Sequence, residues 1–181
     1  MLRRFACLAP SLLLALILIS LGPALAQDLR DKIGKDQRPQ IRAGDIPPDF
    51  TREDLDGAAF TLSEMQGEMP VVIDFWATWC GPCRSEIPLL NEFARKHGDE
   101  VAVVAITSED IKNAEAVREF VEEQELVFRV IHDPSGDIAK SYYVHGIPYL
   151  IVIGVDGVAV ATHLGYSEDV IEKLERELGI E

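Results

Sequence analysis

The stretch VVIDFWATWCGPCRSEIP, residues 71–88, decides the fold. Its first part is continuously apolar and rich in β-branched residues, without the alternation of a half-exposed strand, which predicts a strand buried on both faces. After Cys83, apolar residues recur at helical spacing as far as Gly98, so a helix should follow. Pro82 then falls near the first turn, where its missing N–H is harmless. This pattern places Cys80 at the helix N-terminus and Cys83 one turn further in.

The two cysteines of this stretch are predicted to be a redox pair. Unpaired N–H groups and the helix dipole favour a thiolate at a helix N-terminus, so Cys80 is the expected nucleophile. Cys83 lies on the same side of the helix and can close a disulfide as the resolving thiol, once Cys80 leaves helical geometry. Half of a zinc site is the alternative, but it needs two more Cys or His ligands at suitable spacing. The only other cysteine is Cys7, in a segment that is expected to be removed.

The residues around the pair resemble a known family. DFWATWCGPC, residues 74–83, resembles the active-site stretch of thioredoxins, and CRSEIPLL, residues 83–90, is similar to the extracytoplasmic TlpA/ResA-like branch. The resemblance covers nearly the whole mature chain. It implies an α/β, thioredoxin-like fold: a central mixed sheet with helices on both faces, an N-terminal β-hairpin and a central α/β insertion.

The remaining pattern agrees with an α/β domain. Residues 101–107 form a second continuous apolar run, and strand, helix, strand in this order implies a parallel, right-handed crossover. Asp156-Gly157 between two short apolar runs predicts an antiparallel hairpin at the sheet edge. Further elements are predicted as follows: a turn at 54–57 before a strand at 59–62, a helix at 111–124, a strand at 127–131, a short helix up to Tyr142 and a helix at 167–178.

Three parts are predicted along the chain: a signal peptide at residues 1–26, a flexible leader at 27–43 and the thioredoxin-like domain at 44–181. The first part has Arg3 and Arg4, an apolar run and then Ala24-Leu25-Ala26 as a small-x-small cleavage motif. An uncleaved N-terminal membrane anchor is the alternative, although the apolar run is short for a bilayer span. With the signal cleaved, no stable membrane insertion is expected.

Charge and cysteine content limit the environment and the partners. The chain has 17 Lys and Arg against 31 Asp and Glu, a net charge of −14, which argues against nucleic acid as a partner. Two cysteines remain after cleavage, in a compartment where disulfides persist. So close a pair is a poor staple for a fold, because its short loop removes little entropy from the unfolded chain. A reactive pair in a periplasmic or other extracytoplasmic protein is therefore expected.

Two acidic residues near the pair are candidates for a catalytic role. Asp74 is the only charge inside the buried strand, where a carboxyl group tends to have a raised pKa, and it matches the buried acid of thioredoxins. An aspartate held by backbone hydrogen bonds is the alternative. Glu86 lies one turn after Cys83, and the resemblance implies that an acid here tunes the thiols. The alternative for Glu86 is an acid stabilised by the helix dipole.

The resemblance also implies a substrate groove. Gly146-Ile147-Pro148 is similar to the family's Gly-x-Pro turn, whose cis proline packs beside the dithiol and exposes backbone to an extended substrate. The predicted substrate-binding residues are Trp79, Gly81, Pro82, Ile147 and Pro148. Tyr149 stands where the family usually has Thr, a departure that bears on the groove more than on the fold.

The predicted function is extracytoplasmic thiol–disulfide exchange, with a protein disulfide as substrate and no cofactor or metal. By resemblance, the protein would be a reductase fed by a membrane thiol donor, acting in cytochrome c maturation or on copper-site thiols. A Cu(I) chaperone on the same fold is the alternative, in which the two thiolates bind copper with a nearby histidine. His145 is the nearest such histidine, but none of the four histidines shows metal-ligand spacing.

Overall fold

The computed structural model describes residues 40–180. The predicted signal peptide and most of the predicted leader lie outside these residues. Within them, no helix is long and apolar enough to cross a membrane. The helices and strands are, in chain order, β1 (Thr51–Glu53), β2 (Ala59–Thr61), β3 (Val71–Trp76), α1 (Gly81–His97), β4 (Ala102–Thr107), α2 (Ala114–Glu123), β5 (Arg129–His132), α3 (Asp137–Ser141), β6 (Tyr149–Ile153), β7 (Ala159–Leu164) and α4 (Val170–Leu178).

Five of the strands form one mixed sheet in the order β5-β4-β3-β6-β7. Strand β3 runs parallel to β4, and β4 parallel to β5, whereas β6 is antiparallel to both β3 and β7. The central strand β3 is buried at all six positions, which explains why its sequence is continuously apolar. The predicted mixed sheet, with its parallel crossover from β3 through α1 to β4, is confirmed.

Helices cover both faces of this sheet. Successive β3 side chains point to opposite faces, so the strand contributes apolar residues to the core on each side. Val72 and Trp76 belong to one core cluster, together with both cysteines and the apolar faces of α1, α2 and α4. Ile73 and Phe75 belong to the other cluster, with α3 and the hairpin residues. Asp74 has the same alternation as Val72 and Trp76. Its side chain is therefore placed on the face that α1 covers.

One antiparallel hairpin is separate from the central sheet, and a second forms one edge of it. Strands β1 and β2 pair antiparallel as a separate small sheet, as predicted for the N-terminal hairpin. The second hairpin joins β6 to β7 through Asp156-Gly157, and both hairpins place a glycine at positive φ in the turn, Gly57 at 82° and Gly157 at 80°. Only glycine adopts this conformation without a steric cost, so both turns depend on it. The predicted central insertion forms α2 and the edge strand β5.

Tyr149, which stands where the family usually has Thr, is buried in the core. Its ring is buried and stacks on Phe75, and its hydroxyl donates a hydrogen bond of 2.5 Å to the carbonyl of Ile41. Tyr142, directly after α3, is also buried, and its hydroxyl donates a hydrogen bond of 2.7 Å to the carbonyl of Pro48. Two buried tyrosines therefore hold the segment before β1 against the sheet, and Ile41, near the end of the predicted leader, is part of the core.

Tyr149→Phe should destabilise the protein by about 1–3 kcal/mol, because it leaves the buried carbonyl of Ile41 without its donor. Urea unfolding followed by circular dichroism measures the change. Tyr166→Phe is the matched control, since Tyr166 is exposed and also loses only a hydroxyl. Equal stability of the two variants would show that the contact to Ile41 does not stabilise the fold.

Candidate active site

The dithiol lies where β3 passes into α1. The chain turns at residues 77–80, with the N–H of Cys80 donating to the carbonyl of Ala77 at 3.1 Å, and Cys80 then caps the helix. Cys80 has extended backbone angles, and its Sγ accepts a hydrogen bond from the N–H of Cys83 at 3.2 Å. Cys80 and Cys83 form a disulfide. The expected placement, one cysteine at the helix start and the other a turn further in, is what the structure has.

The two sulfur-bearing residues differ in access to solvent. Cys80 is 5% exposed, whereas Cys83 is fully buried. Trp79, directly before Cys80, is 72% exposed, while Trp76 is buried in the core beside Phe120. An incoming disulfide can therefore approach Cys80 over the Trp79 side, whereas Cys83 is shielded. This asymmetry fits attack by Cys80 and resolution by Cys83.

The turn before β6 contains the predicted Gly146-Ile147-Pro148 motif. The Ile147–Pro148 peptide bond is cis, and Pro148 is buried. Ile147 packs against the cluster that contains both cysteines, and it lines a cavity of about 130 Å³ together with Trp79, Ala77 and Val144. Gly81 and Pro82 are exposed at the start of α1, and a side chain at Gly81 would meet no atom within 4 Å. Of the five predicted substrate-binding residues, Trp79 and Ile147 line this cavity, Gly81 and Pro82 are exposed at the helix start, and Pro148 is buried.

Asp74 lies under the helix as a carboxyl group without hydrogen-bond partners. It is completely buried, and neither of its carboxyl oxygens has a partner, so the alternative of an aspartate fixed by backbone hydrogen bonds does not apply. Burial raises its pKa well above the ordinary value, and the charge of Glu86 raises it further. Burial therefore favours the protonated carboxyl group, which has no hydrogen bond to break before it exchanges a proton.

Glu86 is the second buried acid of the site. It is 1% exposed, and its Oε1 has no hydrogen-bond partner. Burial raises its pKa to about 7, although a hydrogen bond from the backbone N–H of Ser167 acts in the opposite direction. A buried acid that titrates near neutrality differs from the solvated first-turn acid of the helix-dipole alternative. Asp74 and Glu86 repel each other when both are charged, so their titrations are linked.

Glu109 is a residue of this region that the sequence reasoning missed. It follows β4 and is 6% exposed, and its carboxylate accepts two hydrogen bonds from Thr78, the residue before Trp79. The sequence did contain a signal for Glu109, since it lies two residues after the end of the buried parallel strand β4. The carboxyl ends of parallel strands are where the binding sites of α/β proteins form. The partner of Glu109, 31 positions away, could not be read from the chain.

Three of the four histidines contact acidic side chains or a backbone carbonyl. His97, His132 and His163 contact Glu175, the Glu109 carbonyl and Glu177, respectively. His145 is exposed in the turn before Gly146. Within residues 40–180, no group of three or more His, Cys, Asp or Glu side chains is arranged to hold a metal ion.

Comparison with known proteins agrees with this geometry. The redoxin family model matches residues 42–178. The thiol-disulfide oxidoreductase ResA of Bacillus cereus is 32% identical over 165 residues, covering 90% of this chain and 91% of the relative. A candidate thiol:disulfide interchange protein DsbE from Chlorobium tepidum superposes with a TM-score of 0.68 at 31% identity, over 76% of this chain and 95% of that one.

A third similarity is to a secreted disulfide oxidoreductase of Mycobacterium tuberculosis, homologous to E. coli DsbE. It superposes with a TM-score of 0.60 at 30% identity and covers 71% of this chain and 93% of its own. The matched residues include the disulfide and both buried acids, since the family model spans them all. The chain therefore belongs to the redoxin family, as a thioredoxin-fold thiol–disulfide oxidoreductase of the TlpA/ResA-like branch.

Proposed function

We propose that this protein is an extracytoplasmic reductase of protein disulfides that works through a mixed disulfide. The Cys80 thiolate attacks one sulfur of the substrate disulfide, and the other substrate sulfur leaves as a thiol after taking a proton. Cys83 then attacks Cys80 in the mixed disulfide, which releases the second substrate thiol and closes Cys80–Cys83. Two electrons and two protons pass to the substrate. The observation that carries this proposal is a disulfide at a helix N-terminus whose first cysteine is 5% exposed and whose second is completely buried.

Asp74 and Glu86 supply the proton chemistry in this proposal. Cys83 must lose its proton before it can attack, and it is buried away from water. Asp74 lies on the same face of the sheet and has free carboxyl oxygens, so it accepts that proton when ionised. Glu86, with a pKa near 7, sets how readily Asp74 ionises through their mutual repulsion. Both residues are proposed as catalytic on this ground.

The finer biological assignment rests on resemblance. Residues 1–26 have the pattern of a cleavable signal, and the similar protein of Mycobacterium tuberculosis is described as secreted. We assign the substrate as an extended segment of a protein that binds across Trp79, Gly81, Pro82, Ile147 and Pro148. Apocytochrome c and the thiols of copper sites are the substrate classes favoured by analogy, with a membrane thiol donor to reduce Cys80–Cys83 again.

The reduction potential of Cys80–Cys83 tests the direction of electron flow. Cys-x-x-Cys proteins span roughly 150 mV, equivalent to about 7 kcal/mol for two electrons. A reductase should lie near the thioredoxin end, at about −270 mV, where its reduced form readily donates electrons. Tryptophan fluorescence in glutathione and dithiothreitol redox buffers measures it, since Trp76 and Trp79 flank the pair. A potential near −120 mV would make the protein a disulfide donor and overturn the proposal.

A further inference from the structure

The turn that presents Cys80 depends on side chains for its hydrogen bonds. The hydrogen bond from the N–H of Cys80 to the carbonyl of Ala77 closes this turn. The backbone N–H and C=O groups of the two residues between them have no hydrogen-bond partner within the turn. Thr78 is one of these two residues, and all three of its polar groups are held from outside the turn. Its N–H and its hydroxyl donate to Glu109, at 2.7 and 3.0 Å, and its carbonyl accepts from the Arg84 guanidinium at 3.3 Å.

Glu109 is itself held firmly at the end of β4. Its carboxylate also accepts hydrogen bonds from the Thr107 hydroxyl and the Asn113 amide, both at 3.4 Å. Oε1 thus joins Thr78 to Thr107 of β4, and Oε2 joins Thr78 to Asn113, in the segment between β4 and α2. The backbone carbonyl of Glu109 contacts the His132 ring at 2.8 Å. A nearly buried carboxylate with four donors and an anchored backbone cannot shift without breaking several hydrogen bonds at once.

These contacts hold the two residues that face a substrate. Thr78 immediately precedes Trp79, whose exposed indole borders Cys80, and Cys80 closes the same turn. The contacts of Thr78 to Glu109 and Arg84 involve neither sulfur atom. Opening of the disulfide bond therefore does not itself remove any of these hydrogen bonds.

We infer that Glu109 is a positioning residue for thiol–disulfide exchange: through Thr78 it fixes the turn that aims the Cys80 sulfur at the incoming disulfide. A group of this kind affects the geometry of attack, and misplacement by about 1 Å can lower a rate up to roughly a hundredfold. Because the same transition state is crossed in both directions, the forward and reverse rates should fall by the same factor. The equilibrium constant should then stay unchanged.

The test compares rates with oxidised and reduced glutathione in the full chain carrying Cys7→Ser. Glu109→Gln replaces one accepting oxygen by an NH₂ group, so the side chain cannot accept both hydrogen bonds from Thr78. We expect it to slow oxidation of the dithiol by oxidised glutathione about tenfold, and reduction of the disulfide by reduced glutathione equally, per folded molecule. The equilibrium constant with glutathione should stay within twofold of that of the parent protein.

Asn113→Ala is the matched control, because it removes a different hydrogen bond to the same carboxylate and leaves Thr78 in place. Its rates should stay within twofold of the parent. Glu109→Gln rates equally close to the parent would overturn the inference, and so would a change in equilibrium constant above threefold, which would mean that Glu109 acts on thiol stability. If Glu109→Gln does not fold, Thr78→Val decides: it removes only the hydroxyl contact and should slow both directions about threefold, and unchanged rates would overturn the inference.

This inference rests on the proposed attack by Cys80, and the two can fail separately. Exchange that survives Cys80→Ser would contradict the proposed function. Exchange that is lost in Cys80→Ser but unaffected by Glu109→Gln would contradict only the positioning role of Glu109.

Discussion

Replacement of Cys80 by serine should lower the rate of disulfide reduction by roughly a thousandfold or more, to that of the uncatalysed reaction. Serine keeps the shape of the helix cap, but its hydroxyl is not ionised near neutral pH and cannot attack a disulfide. Cys83, which is completely buried, cannot take over the attack. Reduction of a disulfide-bonded test protein by the reduced chain measures the effect, in a Cys7→Ser background that leaves only the two site cysteines.

Cys83→Ser provides the matched comparison at the second position. It keeps the nucleophile and removes the resolving thiol, so the mixed disulfide between Cys80 and the substrate should accumulate and be visible on a non-reducing gel. The substrate should be released again on addition of dithiothreitol. A mixed disulfide trapped in Cys80→Ser instead would reverse the two roles, and equal trapping in both variants would contradict an ordered attack.

The oxidised protein should lose stability as the pH rises from about 4.5 to 7, and Glu86→Gln should remove most of that loss. Burial raises the pKa of Glu86 to about 7 in the folded chain, from an ordinary value of 4.5. Between these values the folded chain binds more protons than the unfolded chain, so the free energy of unfolding decreases with pH. The stabilisation is complete below pH 4.5, and its loss reaches about 3 kcal/mol above pH 7.

Asp74→Asn should act in the same direction. Burial raises the pKa of Asp74 well above its ordinary value, and the charge of Glu86 raises it further, so its ionisation in the folded chain also lowers the free energy of unfolding as the pH rises. Urea unfolding of the oxidised protein from pH 4 to pH 9 gives the two profiles. Glu92→Gln is the control, since Glu92 is exposed on the same helix. Profiles of Glu86→Gln and Asp74→Asn that run parallel to that of the parent protein would contradict the assigned burial effect.

Local sequence patterns determined the elements that carry the dithiol. The continuous apolar run of β3, the helical spacing after Cys83 and the position of Pro82 each act within a few residues, so the strand, the turn and the helix start could be predicted from the chain alone. The same holds for the hairpin at Asp156-Gly157, where the turn conformation requires glycine. Cys80 as the capping residue and Cys83 one turn further follow directly from these patterns.

The environment of Asp74 could be predicted only in part. Its place inside a buried strand indicated a raised pKa, and the period of two along a strand is local information. Whether backbone groups would satisfy its oxygens depended on the packing of α1 over β3, and in the structure both oxygens are without partners. The burial of Glu86 had the same origin, since helix physics alone allowed a solvated acid at that position.

The side-chain contacts between distant segments were decided by the tertiary structure alone. Tyr149 stacks inward and donates to Ile41, 108 positions away, and Glu109 accepts from Thr78 across 31 positions. Such contacts arise where the sheet order brings separate strand ends to one edge, and the direction of a single side chain there depends on all its neighbours. The sequence by itself thus determined the reactive pair, its helix and the candidate acids Asp74 and Glu86. The contacts of Glu109 and Tyr149 emerged only from the assembled fold, because their partners are set by packing rather than by local pattern.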